Sequence, residues 1–239
     1  MIARDQVYGI LLAGGSGTRM GEAVNKILLP VHGVPCIIRS ARALAPWLDH
    51  LVLVCRPEER ETLQRLFASA SLPCALSYTS GGQTRQDSVF HGLQALRDLF
   101  PSADDAAVLI HDGARCLVSG EVIQAVIHSV QSRGSGVASV PVTDTLRAGG
   151  ESGLLGHTVP REGLYAMQTP QSARLSALLN AFQKAAADGV VCTDDAAVLA
   201  YAEYPVFLTA GSRFNLKLTT KEDLWMADAL LRAESEERK

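Results

Sequence analysis

The densest set of residues able to handle phosphate is Leu12-Ala13-Gly14-Gly15-Ser16-Gly17-Thr18-Arg19-Met20-Gly21, with Lys26 seven residues beyond Arg19 in Asn25-Lys26-Ile27-Leu28-Leu29-Pro30. Glycines let backbone N–H groups approach phosphate oxygens without side-chain obstruction. A guanidinium and an ammonium beside such a loop can neutralise a triphosphate and the charge that builds on a phosphoryl group in transfer. Two familiar phosphate loops fail on spacing. A Walker A loop and a dinucleotide fingerprint begun at Gly15 both require a glycine where Met20 stands.

Other chemistry is poorly represented. His32, His50, His91, His111, His128 and His157 show no metal-ligand spacing, which argues against a bound transition metal. Ser16, Ser88 and Ser172 lack the G-x-S-x-G elbow of a hydrolase. Cys36, Cys55, Cys74, Cys116 and Cys192 are odd in number and contain no C-x-x-C pair, so reduced thiols are expected, not a disulfide framework or zinc ribbon.

These residues must be positioned by β-α units. Short apolar runs alternate with longer amphipathic segments, the pattern of an α/β protein with a parallel sheet. Strands are expected at Val7 to Ala13, Leu51 to Cys55, Ala75 to Tyr78, Ala106 to His111, Gly136 to Val140 and Val206 to Leu208. Helical spacing covers Cys36 to Leu44, Pro57 to Ala70, Thr84 to Leu99, Glu121 to Ser132, Ser172 to Ala187, Asp194 to Ala202 and Lys221 to Ala233. Gln171 and the Thr-Pro before it read as a turn at a helix start, Thr220 with Asp223 as a capping box, and Glu234 to Lys239 as a frayed tail. From Pro141 to Gly163 the periodicity fails, and such a stretch inside a domain is functional or makes an interface. It reads as a hairpin-like excursion, not a linker between domains.

At 239 residues, with 47% hydrophobic and 20% charged residues, the chain is an ordinary globular protein with room for one large α/β domain or two small ones. A net charge of −3 excludes the basic footprint of a nucleic-acid binder. No apolar run suffices for a membrane span, and the first six residues do not read as a secretory signal. A cytoplasmic protein is expected.

The glycine loop through Lys26 resembles the signature of pyrimidine and sugar nucleotidylyltransferases. Gly81-Gly82-Gln83-Thr84-Arg85-Gln86-Asp87-Ser88-Val89, His111-Asp112-Gly113-Ala114-Arg115, Val140-Pro141-Val142-Thr143-Asp144-Thr145, Gln168-Thr169-Pro170-Gln171, Thr193-Asp194-Asp195-Ala196 and Asn215-Leu216-Lys217-Leu218-Thr219-Thr220 follow it in order along nearly the whole chain. Together they are similar to the 2-C-methyl-D-erythritol 4-phosphate cytidylyltransferases. The resemblance implies a single Rossmann-like domain, residues 1–239, with a mostly parallel twisted sheet flanked by helices and a protruding arm at about 141–163 used for homodimerisation. It implies Mg²⁺-dependent transfer of CMP from CTP to a small polyol phosphate, with loss of pyrophosphate.

Carried over by position, Arg19 and Lys26 are the implied catalytic cations. Ala13, Gly14, Gly15, Gly82, Ser88, Asp112 and Gly113 fall at CTP-binding positions, and Asp112 also at the metal position. Arg115, Thr145, Thr193 and Lys217 fall around the acceptor, joined by Arg161 reaching from a neighbouring subunit. Three features depart from the pattern. Gln83 replaces a common acidic residue, Phe214 replaces a common Asp or Glu, and Ala13-Gly14-Gly15 replaces Ala-Ala-Gly. The last two fit the related ribitol-5-phosphate cytidylyltransferases, which stand as the alternative beside a non-catalytic nucleotide-binding module.

Overall fold

The computed structural model describes residues 6–14 and 25–237. Two of the implied phosphate-loop positions, Gly15 and Arg19, lie outside them. The first strand, β1 (Val7–Leu12), is buried at all six positions. Its residues serve two cores in alternation: Val7 and Leu11 face one, Tyr8, Ile10 and Leu12 the other. β4 (His50–Cys55) and β6 (Ala107–Asp112) repeat this, with Leu51, Leu53 and Leu109 on the first side and Val52, Val54, Val108 and Ile110 on the second. A strand with both faces covered must be apolar throughout, which is why these runs stand out in the sequence.

The remaining elements in chain order are a two-stranded pair, β2 (Pro30–Val31) and β3 (Val34–Pro35), then α1 (Cys36–Leu44), α2 (Arg60–Ala68), β5 (Ala75–Ser80), α3 (Arg85–Leu99), α4 (Gly120–Arg133) and β7 (Ser135–Pro141). After these come β8 (Leu146–Gly149), β9 (Leu155–Val159), β10 (Tyr165–Arg174), α5 (Leu175–Ala187), α6 (Asp195–Tyr201), β11 (Leu208–Ala210) and α7 (Lys221–Glu237). Seven strands form one sheet in the order β11-β7-β10-β6-β1-β4-β5. All pairs are parallel except those of β10, which runs antiparallel to both β6 and β7. Residues of α1, α2 and α4 fill the core on one face of the sheet, and residues of α3, α5 and α6 fill the other.

Helix ends follow their capping chemistry. Thr84 and Asp87 make a reciprocal capping box at the start of α3, and Ser119 caps α4, which Gly134 ends in the left-handed conformation at φ 89°. The Thr220–Asp223 box is present at α7, where Asp223 N–H donates to Thr220 Oγ1 at 3.3 Å and Thr220 N–H donates to Asp223 Oδ2 at 2.8 Å. The aperiodic stretch after β7 contains an antiparallel hairpin, β8 with β9. Leu154 at the end of its turn and Leu155 at the start of β9 are 71% and 73% exposed.

Four sequence expectations are corrected. The helix expected from Ser172 begins at Leu175, because Ser172 to Arg174 end strand β10. Gln171 therefore sits within a strand and shapes no helix start; the cis peptide Thr169–Pro170 lies in the same strand. The last strand lies at Leu208–Ala210, shifted from 206–208, and α7 continues through the expected tail to Glu237. β10 is hard to read because its buried residues are polar: Gln168, Thr169, Gln171 and Ser172 are all buried. Each finds partners there. Ser172 Oγ donates to the Val108 carbonyl at 2.7 Å, and Gln171 donates to Asp194 Oδ2 at 2.9 Å while accepting from Ala196 N–H at 2.8 Å. Satisfied hydrogen bonds make such burial tolerable.

Candidate active site

The register of the parallel strands aligns Leu12 with both Val54 and Asp112, so β1, β4 and β6 end level. A cleft of about 660 Å³ opens at these carboxyl ends, where open α/β sheets bind ligands. Its walls include Gly14, Lys26, Gly82, Arg85, Asp112 and Lys217. Residues separated by as much as 203 positions in sequence, from Gly14 to Lys217, thus converge on one cavity.

Lys26 is presented by a single 3₁₀ turn, Lys26–Leu28. Asn25 anchors that turn: its amide donates to the Ala13 carbonyl at 3.0 Å and to Glu59 Oε1 at 2.9 Å, and its Oδ1 accepts from Ile27 N–H at 3.3 Å. The lysine is thereby tied to the end of β1. Gly82 belongs to the β5–α3 loop and Ser88 to the first turn of α3, where Ser88 Oγ accepts from Gly82 N–H at 3.1 Å and donates to the Thr84 carbonyl at 2.9 Å. The backbone of Gly113 crosses close to β1, and a Cβ there would lie 2.7 Å from the Leu12 carbonyl oxygen and 2.3 Å from Ile37 Cδ1. Only glycine fits without displacement.

Asp112 ends β6 and is held by two cations. Lys217 Nζ donates to Oδ2 at 2.6 Å, and Arg85 Nε donates to Oδ1 at 3.2 Å. Burial acts to raise the Asp112 carboxyl, but the Arg85 and Lys217 charges overcome it and hold the group well below the usual carboxylate range. Arg85 turns the rest of its guanidinium to Asp195, donating to both carboxylate oxygens at 2.8 Å. Asp195 is 1% exposed, so this bidentate bond is what makes its burial tolerable.

Behind Asp112 lies a neutral relay. Asp112 N–H donates to Thr169 Oγ1 at 3.1 Å, Thr169 Oγ1 meets His111 Nδ1 at 3.0 Å, and His111 Nε2 meets the Arg115 carbonyl at 3.0 Å. A neutral imidazole satisfies every member, accepting at Nδ1 and donating at Nε2. Burial pushes the His111 pKa down to about 4. An unfolded histidine titrates near 6.5, so below that pH the unfolded chain binds a proton that the folded chain does not. Stability is therefore complete above about pH 6.5 and falls as pH drops toward 4, with a slope of up to about one proton. Calorimetric melting between pH 4 and 7 should show this decline in the wild type and a shallower one in His111→Gln; equal slopes would contradict it.

The other implied acceptor residues are not among those that line the cleft. Arg115 donates to the Asn215 carbonyl at 2.7 Å, Arg161 to the Thr143 carbonyl, and Thr145 and Thr193 are exposed on loops. Thr193 directly precedes Asp194, whose side chain caps α6. Sequence reasoning passed over Arg85 and Asp195 as functional residues although both lie within quoted motifs. Their contact spans 110 residues, and no local spacing reveals it.

Among the described residues, an open α/β sheet whose cation-lined cleft carries the buried Asp112 carboxylate suits a protein that handles a phosphorylated ligand. Comparison with known proteins narrows the class. The family model for 2-C-methyl-D-erythritol 4-phosphate cytidylyltransferase matches residues 7–233. The enzyme of that name from Halalkalibacterium halodurans is 38% identical over 97% of this chain and 99% of its own, and that from a Synechococcus strain 37% over 93% and 95%. The crystal structure of the Thermus thermophilus enzyme of that name superposes with a TM-score of 0.75 at 30% identity, covering 94% of this chain and 98% of its own. The chain belongs to the 2-C-methyl-D-erythritol 4-phosphate cytidylyltransferase family.

Proposed function

We propose that the protein transfers CMP from CTP to 2-C-methyl-D-erythritol 4-phosphate, releasing pyrophosphate, in non-mevalonate isoprenoid synthesis. The observation that carries this reading is the convergence of Lys26, Arg85, Lys217 and Asp112 on one cleft at the carboxyl ends of β1, β4 and β6. The acceptor's phosphate oxygen attacks the α-phosphorus of CTP, the new P–O bond forms, and the bond to the pyrophosphate oxygen breaks. No general base is required, since a phosphate monoester with a second pKa near 6 is largely dianionic at pH 7. Catalysis then rests on alignment and charge neutralisation. Lys26 serves the triphosphate, in company with Arg19, and Lys217 serves the acceptor phosphate. Gly14, where a Cβ would meet nothing within 4 Å, leaves the cleft wall open at the nucleotide, and Gly82 and Ser88 lie where the cytosine ring is read.

The donor set suits Mg²⁺, which is commonly bound by one or two carboxylates together with substrate phosphates. Asp112 offers one carboxylate at the cleft, and the described residues contain no cluster of three or more acidic, histidine or cysteine ligands. Bound there with the triphosphate, Mg²⁺ would neutralise phosphate charge during transfer.

The β8–β9 hairpin, with its exposed Leu154 and Leu155, supports a homodimer in which this arm packs on a second subunit and delivers Arg161 to the neighbouring site. Light scattering should give a dimer at micromolar concentration; a fully active monomer would rule the exchange out. No helix of the described residues is long and apolar enough to cross a membrane, which accords with a cytoplasmic location. The reaction is tested by pyrophosphate release with CTP and Mg²⁺, run in parallel on methylerythritol 4-phosphate and ribitol 5-phosphate. Turnover on the first alone is expected. Turnover on the second alone would reassign the acceptor, and silence on both would leave a nucleotide-binding module.

A further inference from the structure

The Arg85 guanidinium is shared between two carboxylates that belong to different parts of the site. Its Nε–H meets Asp112, on the nucleotide side at the end of β6, while its two terminal nitrogens clasp Asp195, the first residue of α6. Asp195 stands two residues beyond Thr193, in the segment that the cytidylyl-transfer reading gives to the acceptor. The next residue, Gln86, grips the same segment from the other direction. Its side-chain amide donates to the Val190 carbonyl at 3.0 Å, and its Oε1 accepts from Cys192 N–H at 2.8 Å. The start of α3 thus ties residues 190–195 to the β5–α3 loop that carries Gly82, and Arg85 extends the tie to Asp112.

We propose that Arg85 is a positioning residue of the transfer reaction: held bidentately by Asp195, it aims the Asp112 carboxylate into the cleft. This rests on the cytidylyl-transfer reading. A planar fork with fixed donor directions can hold two carboxylates at once, whereas a lysine is a single point charge and cannot. Arg85 shapes reactivity through Asp112, so its contribution vanishes once Asp112 is disabled.

The experiment measures kcat, the KM of each substrate and the melting temperature. The proteins compared are wild type, Arg85→Lys, the charge-neutral pair Arg85→Gln/Asp195→Asn, Asp112→Asn, and Arg85→Lys combined with Asp112→Asn. The neutral pair leaves no orphaned buried carboxylate, so it keeps the test decisive if Arg85→Lys fails to fold. The expected result is a loss of about 10–100-fold in kcat for Arg85→Lys or the neutral pair, the usual scale for a residue that orients a reacting group's ligand. The KM for CTP should change far less, and folded protein should retain its melting temperature to within a few degrees. Arg85→Lys combined with Asp112→Asn should be no slower than Asp112→Asn alone, since residues acting as one unit are non-additive.

Wild-type kcat in both Arg85 variants would overturn the proposal, as would losses that multiply with that of Asp112→Asn. A rise in the KM for CTP at unchanged kcat would also overturn it, by placing Arg85 directly on the triphosphate. An inactive wild type overturns the transfer reading and this proposal with it, whereas an active wild type beside fully active variants sinks the positioning role alone.

Discussion

Lys26→Ala should lower kcat by on the order of 10² to 10³, with the same outcome for Arg19→Ala. During transfer, negative charge moves from the acceptor phosphate through the α-phosphoryl group to the leaving pyrophosphate, and a fixed cation beside the triphosphate stabilises that charge without reorganising. Lys26 is fixed in this sense: the 3₁₀ turn that presents it is bonded through Asn25 to the Ala13 carbonyl and to Glu59. Truncation beyond Cβ leaves those anchors in place, so the melting temperature should hold while turnover falls. Single-turnover pyrophosphate release separates the chemical step from substrate binding. A Lys26→Ala enzyme within threefold of wild type would remove the residue from the catalytic set.

The second large effect is on stability. Arg85→Met removes the hydrogen-bonded cationic partner that Asp195 has among the described residues while keeping the apolar stem, and should destabilise the protein by about 3–5 kcal/mol. The cause is Asp195, 1% exposed and left without its bidentate donor. Burial already raises the Asp195 carboxyl, and the Arg85 charge opposes that. Combining Arg85→Met with Asp195→Asn should recover much of the loss, because an amide is far less costly than an unpaired carboxylate to keep buried. Denaturant unfolding of the two proteins checks this, and equal stabilities would show that the pair is not the source of the effect.

The sheet was legible wherever burial is apolar on both faces, as in β1, β4 and β6, and wherever a cap marks a boundary, as Thr220 and Asp223 do. β10 was not legible. Its first three residues are exposed and its buried ones include Gln168, Thr169, Gln171 and Ser172, whose partners lie on β6, at the start of α6 and in the segment after β11. The site divides the same way. Gly14 follows β1 directly, Asp112 ends β6 and Lys26 lies in the segment after the glycine loop, so the local chemistry points to them. No local spacing singles out Arg85, because the fold delivers its partner Asp195 from 110 residues away.

The position of β10 bears on how the protein is made. β6 and β7 are synthesised first, yet they never touch; the strand that joins them arrives only after the hairpin arm has emerged. At about 5–20 residues per second, a nascent chain spends seconds with the inner edges of both strands unpaired. Open edges recruit other strands. A ribosome that stalls before Arg174 therefore releases a product with two exposed templates for intermolecular pairing, so truncated chains ending between β7 and β10 are the forms that chaperones and proteases must clear.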